Sequence, residues 1–290
     1  TSKLATKINR FFSRSTIGER LLSPSKFDEE FNTRVNTCAS TDYNLHRPAY
    51  VVCNENVEVK ALENQFVDKL TLMKAVAYCD HIITICPPTA ATEVALSVKK
   101  IGFEGIYIDA NAISPSTASQ IQEIVGSRFV DGGIIGPPAW KEDSTRLYLS
   151  GKYSEEVANW FSGSLVDARS IKNSASALKM SYAAYTKGSS ALILSIRALA
   201  KKYGIEESLM EEWEISQPGL KERSEFTASE TASKAWRFEG EMLEIAKTFL
   251  DAELPEGFHR ASSEIYKRMA DFKDSEEKVI VENVIKKILN

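Results

Sequence analysis

The chain has 290 residues, 43% of them hydrophobic, with 14 Gly and 9 Pro, enough apolar material for one large core or two moderate ones and too few breakers for a linker-dominated protein. Its 36 Lys and Arg against 40 Asp and Glu give a net charge of −4, which offers no broad attraction to a polyphosphate backbone, so nucleic acid is not an expected partner. No run approaches the ~20 apolar residues that span a bilayer, so a soluble protein without a membrane partner is expected.

In chain order, the first twenty residues carry Lys3, Lys7, Arg10, Arg14 and Arg20 against Glu19 alone. That is the composition of an organelle transit segment or of a flexible basic leader. Cys38, Cys53, Cys79 and Cys86 lack zinc-ligand spacing and read as reduced thiols of a cytoplasmic protein, the basic segment leaving a mitochondrial destination open. Residues 49 to 53 have strand character. Residues 81 to 86 form a β-branched run ended by Pro87 and Pro88, as in a strand buried on both faces, and 92 to 100 read as a helix. A second strand, Ile106-Tyr107-Ile108, leads to a helix start with Ser114 as cap and Pro115 at the first helical position, the helix covering 116 to 125. Phe129 and Val130 open a third strand that is expected to end in an exposed turn, Asp131-Gly132-Gly133 and Gly136-Pro137-Pro138, and Leu147-Tyr148-Leu149 resembles a fourth.

Strand, helix, strand, helix, strand at this spacing predicts a parallel α/β sheet of Rossmann type with ligands at the carboxyl ends of its strands, at 86 to 88, 109 to 111 and 131 to 137. After Gly163 the strand alternation disappears, so the predicted domains are 1 to 163 and an all-α domain over 164 to 290. Its first helix starts at Asn173 or Ser174 and runs through Lys179 and Lys187 to Tyr203, with Gly204 as left-handed terminator. Further helices are read at 206 to 216, 226 to 252 and 258 to 271. A tail with Val279, Val281, Val284, Ile285 and Ile288 at helical spacing packs on the body or on a second subunit.

Lys179 has Ala175, Ser176, Tyr182, Ala183 and Thr186 on its own helical face, a small and hydroxyl-bearing surface without carboxylates. A lysine so placed serves either as a solvated surface group or as a general acid or base. Asp109-Ala110-Asn111 ends a strand and either caps a turn or places an amide near a cofactor ring. His46, His81 and His259 have no metal-ligand spacing, so no metal is expected. His81 reads as structural, whereas Arg237 beside Trp236 either holds an anion or packs under a salt bridge.

These runs together resemble the β-hydroxyacid dehydrogenase superfamily, in its 6-phosphogluconate dehydrogenase-like branch, over residues 70 to 272. The likeness rests on residues 80 to 88, on 107 to 115, on Phe129-Val130-Asp131-Gly132-Gly133-Ile134-Ile135-Gly136-Pro137-Pro138, on 177 to 188, on Lys234-Ala235-Trp236-Arg237-Phe238 and on Gly257-Phe258-His259. The resemblance implies an NAD- or NADP-dependent dehydrogenase of a small hydroxy acid that works as a homodimer. It makes Lys179 the catalytic proton shuttle and puts Cys86, Pro87, Pro88 and Asn111 against the cofactor. Gly132, Gly133, Ile135, Gly136, Tyr182, Arg237 and His259 fall to the substrate.

The family's glycine-rich phosphate loop is missing, because no glycine lies between Gly18 and Gly102, and residues 1 to 69 find no counterpart, an atypical or truncated N-terminal part. Ser170, Asn173 and Ala175 stand where glycines precede the lysine, and Ala183 where an asparagine follows it. A second reading follows from the missing loop: a non-catalytic Rossmann-like homologue kept for binding or dimerisation.

Overall fold

The computed structural model describes residues 35–39, 48–53, 67–68, 72–77, 79–275 and 279–290. The chain forms two compact units, Thr1–Lys179 and Met180–Asn290. The expectations for the leader, for His46 and for the remainder of 1 to 69 lie outside the described residues.

The first unit is built on one eight-stranded sheet in the order β3-β1-β2-β4-β5-β6-β7-β8. Its strands are β1 (Val35–Ala39), β2 (Pro48–Cys53), β3 (Val67–Asp68), β4 (His81–Ile85), β5 (Ile106–Asp109), β6 (Phe129–Ile135), β7 (Thr145–Ser150) and β8 (Val166–Ser170). β2, β4, β5 and β6 run parallel, and β1 and β7 pair antiparallel at either side of them. Helices α1 (Leu72–Val76), α2 (Pro88–Lys100), α3 (Pro115–Val125) and α4 (Ser154–Trp160) cover the sheet.

Alternation along the parallel strands builds both faces of the core. Ile82, Tyr107 and Phe129 join Val94, Val98 and Ile121 on one side, while Ile83, Ile108 and Val130 join Leu147, Leu149, Val157 and Phe161 on the other. His81 is buried and stacks on Trp160, ring centroids 4.3 Å apart, the structural position that its apolar strand suggested. Ser114 caps α3 as expected, its hydroxyl accepting from the Thr117 amide at 3.2 Å.

Four boundaries differ from the sequence reading, each for a physical reason. Helix α2 begins at Pro88 and not at Thr92, because a proline that ends a strand is also well suited to a first helical turn, where its missing N–H costs nothing. β6 runs straight through Asp131-Gly132-Gly133 to Ile135, so this segment is buried strand and not an exposed turn. β8 follows Gly163, so the first unit extends past the expected boundary at 163. Its Asp167 and Arg169 pair with each other on exposed flanks and mask the strand pattern of an edge. The stretch 226 to 252 is two helices, divided where the fully buried Ala232 and Ala235 pack on either side of Lys234, with no glycine or proline to announce the break.

The second unit is helical. Helix α5 (Ala175–Tyr203) enters it and ends at Gly204, φ +69°, followed by α6 (Glu206–Ser216), α7 (Leu220–Ala232), α8 (Ala235–Asp251), α9 (Gly257–Arg268) and α10 (Val281–Leu289). Met180, Ala183, Leu194, Met242, Ile245, Tyr266 and Met269 form its interior. Val281, Val284, Ile285 and Ile288 bury the apolar face of the tail helix, and Arg268 donates to the Ile288 carbonyl at 2.8 Å. Arg197 is buried but donates to Ser224 at 2.7 Å and to Glu206 at 2.8 Å, which satisfies its charge. Among the described residues, no helix is long and apolar enough to cross a membrane.

Candidate active site

The carboxyl ends of β4 and β5 are laced together by side chains. Thr84 and Asp109 stand opposite one another in the parallel register. The Asp109 carboxylate accepts from the Asn111 amide at 3.0 Å, from Asn111 Nδ2 at 2.9 Å and from the Thr84 hydroxyl at 3.4 Å. Asn111 Oδ1 accepts from the Cys86 amide at 2.5 Å. Asn111 is therefore a buried brace between two strand tips, its side-chain amide already paired with protein, and not a donor held out toward a cofactor ring. Cys86, Pro87 and Pro88 lie beside it and keep part of their surface open, so the edge left for a ligand at this tip is apolar.

Asp109 is the titratable group that sequence reasoning underrated. It is 1% exposed, and burial, reinforced by the charge of Asp131, pushes its carboxyl from an ordinary 3.8 up to about 7 against the opposing pull of its hydrogen bonds to Asn111 and Thr84. A strand ending in Asp was legible, but only the pairing of β5 with β6 brings the second carboxylate next to it.

On β6, period two puts Asp131, Gly133 and Ile135 on one face. A Cβ on Gly133 would lie 2.9 Å from Lys179 Cβ and 3.0 Å from the Ala175 carbonyl, so glycine here lets the first turn of α5 sit directly on the strand. A Cβ on Gly132 would lie 2.7 Å from the Asp109 carbonyl. At Gly136, φ is +120° and a Cβ would run into the Ser144 carbonyl, so this position too requires glycine, and the loop it opens is tied back by the Thr145 hydroxyl on the Pro137 carbonyl. Lys179 is half-buried and its ammonium donates to the Ile134 carbonyl at 2.6 Å. The strand segment 131 to 136 and Lys179 are thus brought together within one unit, next to the tips that carry 86 to 88 and 109 to 111.

Tyr182, Arg237 and His259 belong to the second unit. Tyr182 is 48% exposed. Arg237 lies over the Phe238 ring, 5.5 Å from its centroid, and its buried Nε has no hydrogen-bond partner among the described residues. His259 is buried against Gly188 and the Phe249 ring, and desolvation holds its pKa below the ordinary imidazole value. Close by in this unit, and unforeseen in the sequence, Lys187 pairs with Glu241 over the Phe238 ring while the Tyr266 hydroxyl donates to the Lys187 carbonyl at 2.8 Å. Among the described residues, no three His, Cys, Asp or Glu side chains gather as a metal site.

Residues 200–269 match the domain of unknown function DUF1932. A conserved protein of unknown function, described as structurally similar to 3-hydroxyacid dehydrogenases, superposes over 77% of this chain and 88% of its own with 25% identity and a TM-score of 0.52. The chain is thus similar in fold to the β-hydroxyacid dehydrogenase-like superfamily. A conserved hypothetical protein from Sinorhizobium meliloti 1021 shares the fold across all of this chain and 93% of its own, with 19% identity and a TM-score of 0.56. An uncharacterized 28.5 kDa protein of Methanothermus fervidus is 33% identical over 137 residues, 46% of this chain and 52% of that protein, so the match spans about half the length of the curated relative.

Proposed function

We propose that the protein is an NAD- or NADP-dependent oxidoreductase that interconverts a small β-hydroxy acid and its carbonyl form, with Lys179 as the general acid and base. The observation that carries this reading is the Lys179 ammonium on the Ile134 carbonyl, 2.6 Å away, above a strand whose Gly133 has no side chain to keep the helix off. A fixed amine at the carboxyl end of a parallel sheet stands where ligands of such folds bind, and a lysine can take the proton of a hydroxyl or return it to a carbonyl oxygen. The nicotinamide, when bound, supplies or accepts the hydride. The residues fit that group at the tip of β4, where Cys86, Pro87 and Pro88 offer an uncharged and partly open edge held in place by the Asn111 brace. Backbone N–H groups after Gly136 are limited by Pro137 and Pro138, so that loop's role is to shape the substrate side rather than to cradle a phosphate.

A specific observation favours the second reading, a non-catalytic binding protein. β2 is the parallel neighbour of β4, and the sequence that follows it, residues 54 to 66, holds Glu55, Glu58 and Glu63 against Lys60 alone, and no glycine. Such a segment repels a pyrophosphate. Titration of the protein with NADPH and NADH, followed by nicotinamide fluorescence, decides between the two. The enzyme reading expects saturable binding below millimolar cofactor, and a flat titration at millimolar NADPH and NADH overturns it.

The reading extends to a second copy of the chain. Along α5, Leu178, Tyr182, Tyr185, Ser189, Leu192, Ile196, Leu199 and Tyr203 alternate by four and three residues, the seam of a helix that packs against another helix. Leu192 and Leu199 are 58% and 57% exposed on that seam. Sedimentation should give a dimer at tens of micromolar protein, and Leu192→Asp with Leu199→Asp should halve the mass; a wild-type monomer at that concentration removes this part of the proposal.

A further inference from the structure

Asp131 lies inside β6, nearly buried, yet its charge is not paired with a cation in any described ion pair. Its Oδ2 accepts from the Ser150 hydroxyl at 3.1 Å, the Ser174 hydroxyl at 3.0 Å, the Ser176 amide at 3.0 Å and the Ser176 hydroxyl at 3.1 Å. The hydroxyls are themselves acceptors for the same turn of helix, Ser150 for the Ala175 amide at 3.0 Å and Ser174 for the Ala177 amide at 3.1 Å. The first three N–H groups of α5, which no helix can satisfy internally, are therefore all taken up by a single carboxylate and the two hydroxyls it orients. Oδ1 is buried without a hydrogen-bond partner among the described residues, and the carboxyl group stands at the positive end of the helix dipole.

We propose that Asp131 is the positioning residue of the candidate site: it pins the N-terminal turn of α5 to the sheet and so fixes where Lys179, one turn further on, leaves the helix. Three positions of β6 then act on that helix in different ways. Asp131 binds its end, Gly133 admits its backbone at van der Waals distance, and Ile134 receives the ammonium. An ordinary N-cap would come from the residue before the helix; here the decisive acceptor comes from a strand 43 residues earlier, so the cap is also a tertiary tie. Four donors, three serine hydroxyls and one amide, converge on one carboxylate oxygen, more than a single capping side chain ordinarily takes. This inference rests on the assignment of Lys179 to the chemistry, but its test needs neither substrate nor cofactor.

Asp131→Asn keeps the shape and one acceptor oxygen but turns an NH2 toward donors. In the folded variant, hydrogen exchange at the Ser176 amide should accelerate roughly tenfold to a hundredfold, the loss expected for a buried hydrogen bond to a charged group. The ε-methylene carbon resonance of Lys179, identified by its disappearance in Lys179→Arg, should move from its own position to that of the solvated lysines. A merely structural role would speed the exchange and leave that resonance in place. If Asp131→Asn does not fold, Ser150→Ala removes the Ala175 acceptor and one of the four donors to Asp131, and should shift both readouts in the same direction by less. An unmoved Lys179 resonance in either folded variant, with or without a change of exchange at Ser176, overturns the proposal. A flat NADPH titration would overturn the enzyme reading and leave both readouts as they are.

Discussion

Lys179→Ala should lower turnover of the responding hydroxy acid by about 10²- to 10⁴-fold while NADPH affinity stays within about twofold. The measurement is a steady-state screen of small β-hydroxy acids with NAD and NADP, followed by kcat and KM on the acid that reacts. The asymmetry follows from geometry. The ammonium bonds to the Ile134 carbonyl at the end of β6, whereas the tip at 86 to 88 is held by Asn111 and does not involve the lysine. A group whose interaction with the reacting oxygen strengthens only as the proton moves lowers the barrier without tightening the ground state, so its removal appears in kcat. Lys179→Arg should not rescue, because a guanidinium keeps the charge and does not give up its proton at working pH. A Lys179→Ala enzyme with turnover within threefold of wild type would remove the acid and base assignment.

The parallel sheet was legible because the β-branched run from Ile82 to Ile85, Ile106-Tyr107-Ile108 and Phe129-Val130 are short apolar or β-branched stretches between helical ones, as in a sheet covered on both faces. Lys179 was singled out by the family resemblance and not by its helical face, whose small residues suit a solvated surface lysine as well. Asp131 was not. In the sequence, Asp-Gly-Gly is a turn signature, and what overrides it is tertiary: Gly132 and Gly133 are small because β5 and α5 press against them. The Asn111 brace was hidden for a similar reason, since the amide at the end of one strand and the backbone of Cys86 at the end of another meet only through the register of β4 with β5. β8 escaped because an edge strand may carry Asp167 and Arg169 where a central strand carries valine.

In the first unit, stability should fall as pH rises from about 5 to 8, and Asp109→Asn should flatten that fall. The sign is set by which state holds the proton. Folding raises the Asp109 carboxyl from 3.8 to about 7, so between those values the folded chain keeps a proton that the unfolded chain has lost. Each further step upward in pH then favours unfolding until the folded carboxyl is itself ionised, and above about pH 8 the contribution is constant. The full difference is on the order of 4 kcal/mol, large against the 5–15 kcal/mol that holds a typical domain together. His259 works in the opposite sense below the ordinary imidazole value, because burial makes the folded state reject a proton there, so the wild-type curve alone is not diagnostic. Urea unfolding of wild type and Asp109→Asn at matched pH isolates the carboxyl, since His259 contributes equally to both. Asparagine keeps an acceptor for the Asn111 amide and loses the second oxygen that Thr84 and Asn111 Nδ2 use, a cost of about 1–3 kcal/mol that does not vary with pH. The difference between the two proteins should therefore shrink or reverse as pH rises through 7, and a difference that stays constant from pH 5 to 8 would show that Asp109 ionises as an ordinary carboxylate. Ionisation also strengthens the bonds from Asn111 and Thr84, so the pH that weakens the fold is the pH that tightens the lacing of the two strand tips on which the cofactor reading depends.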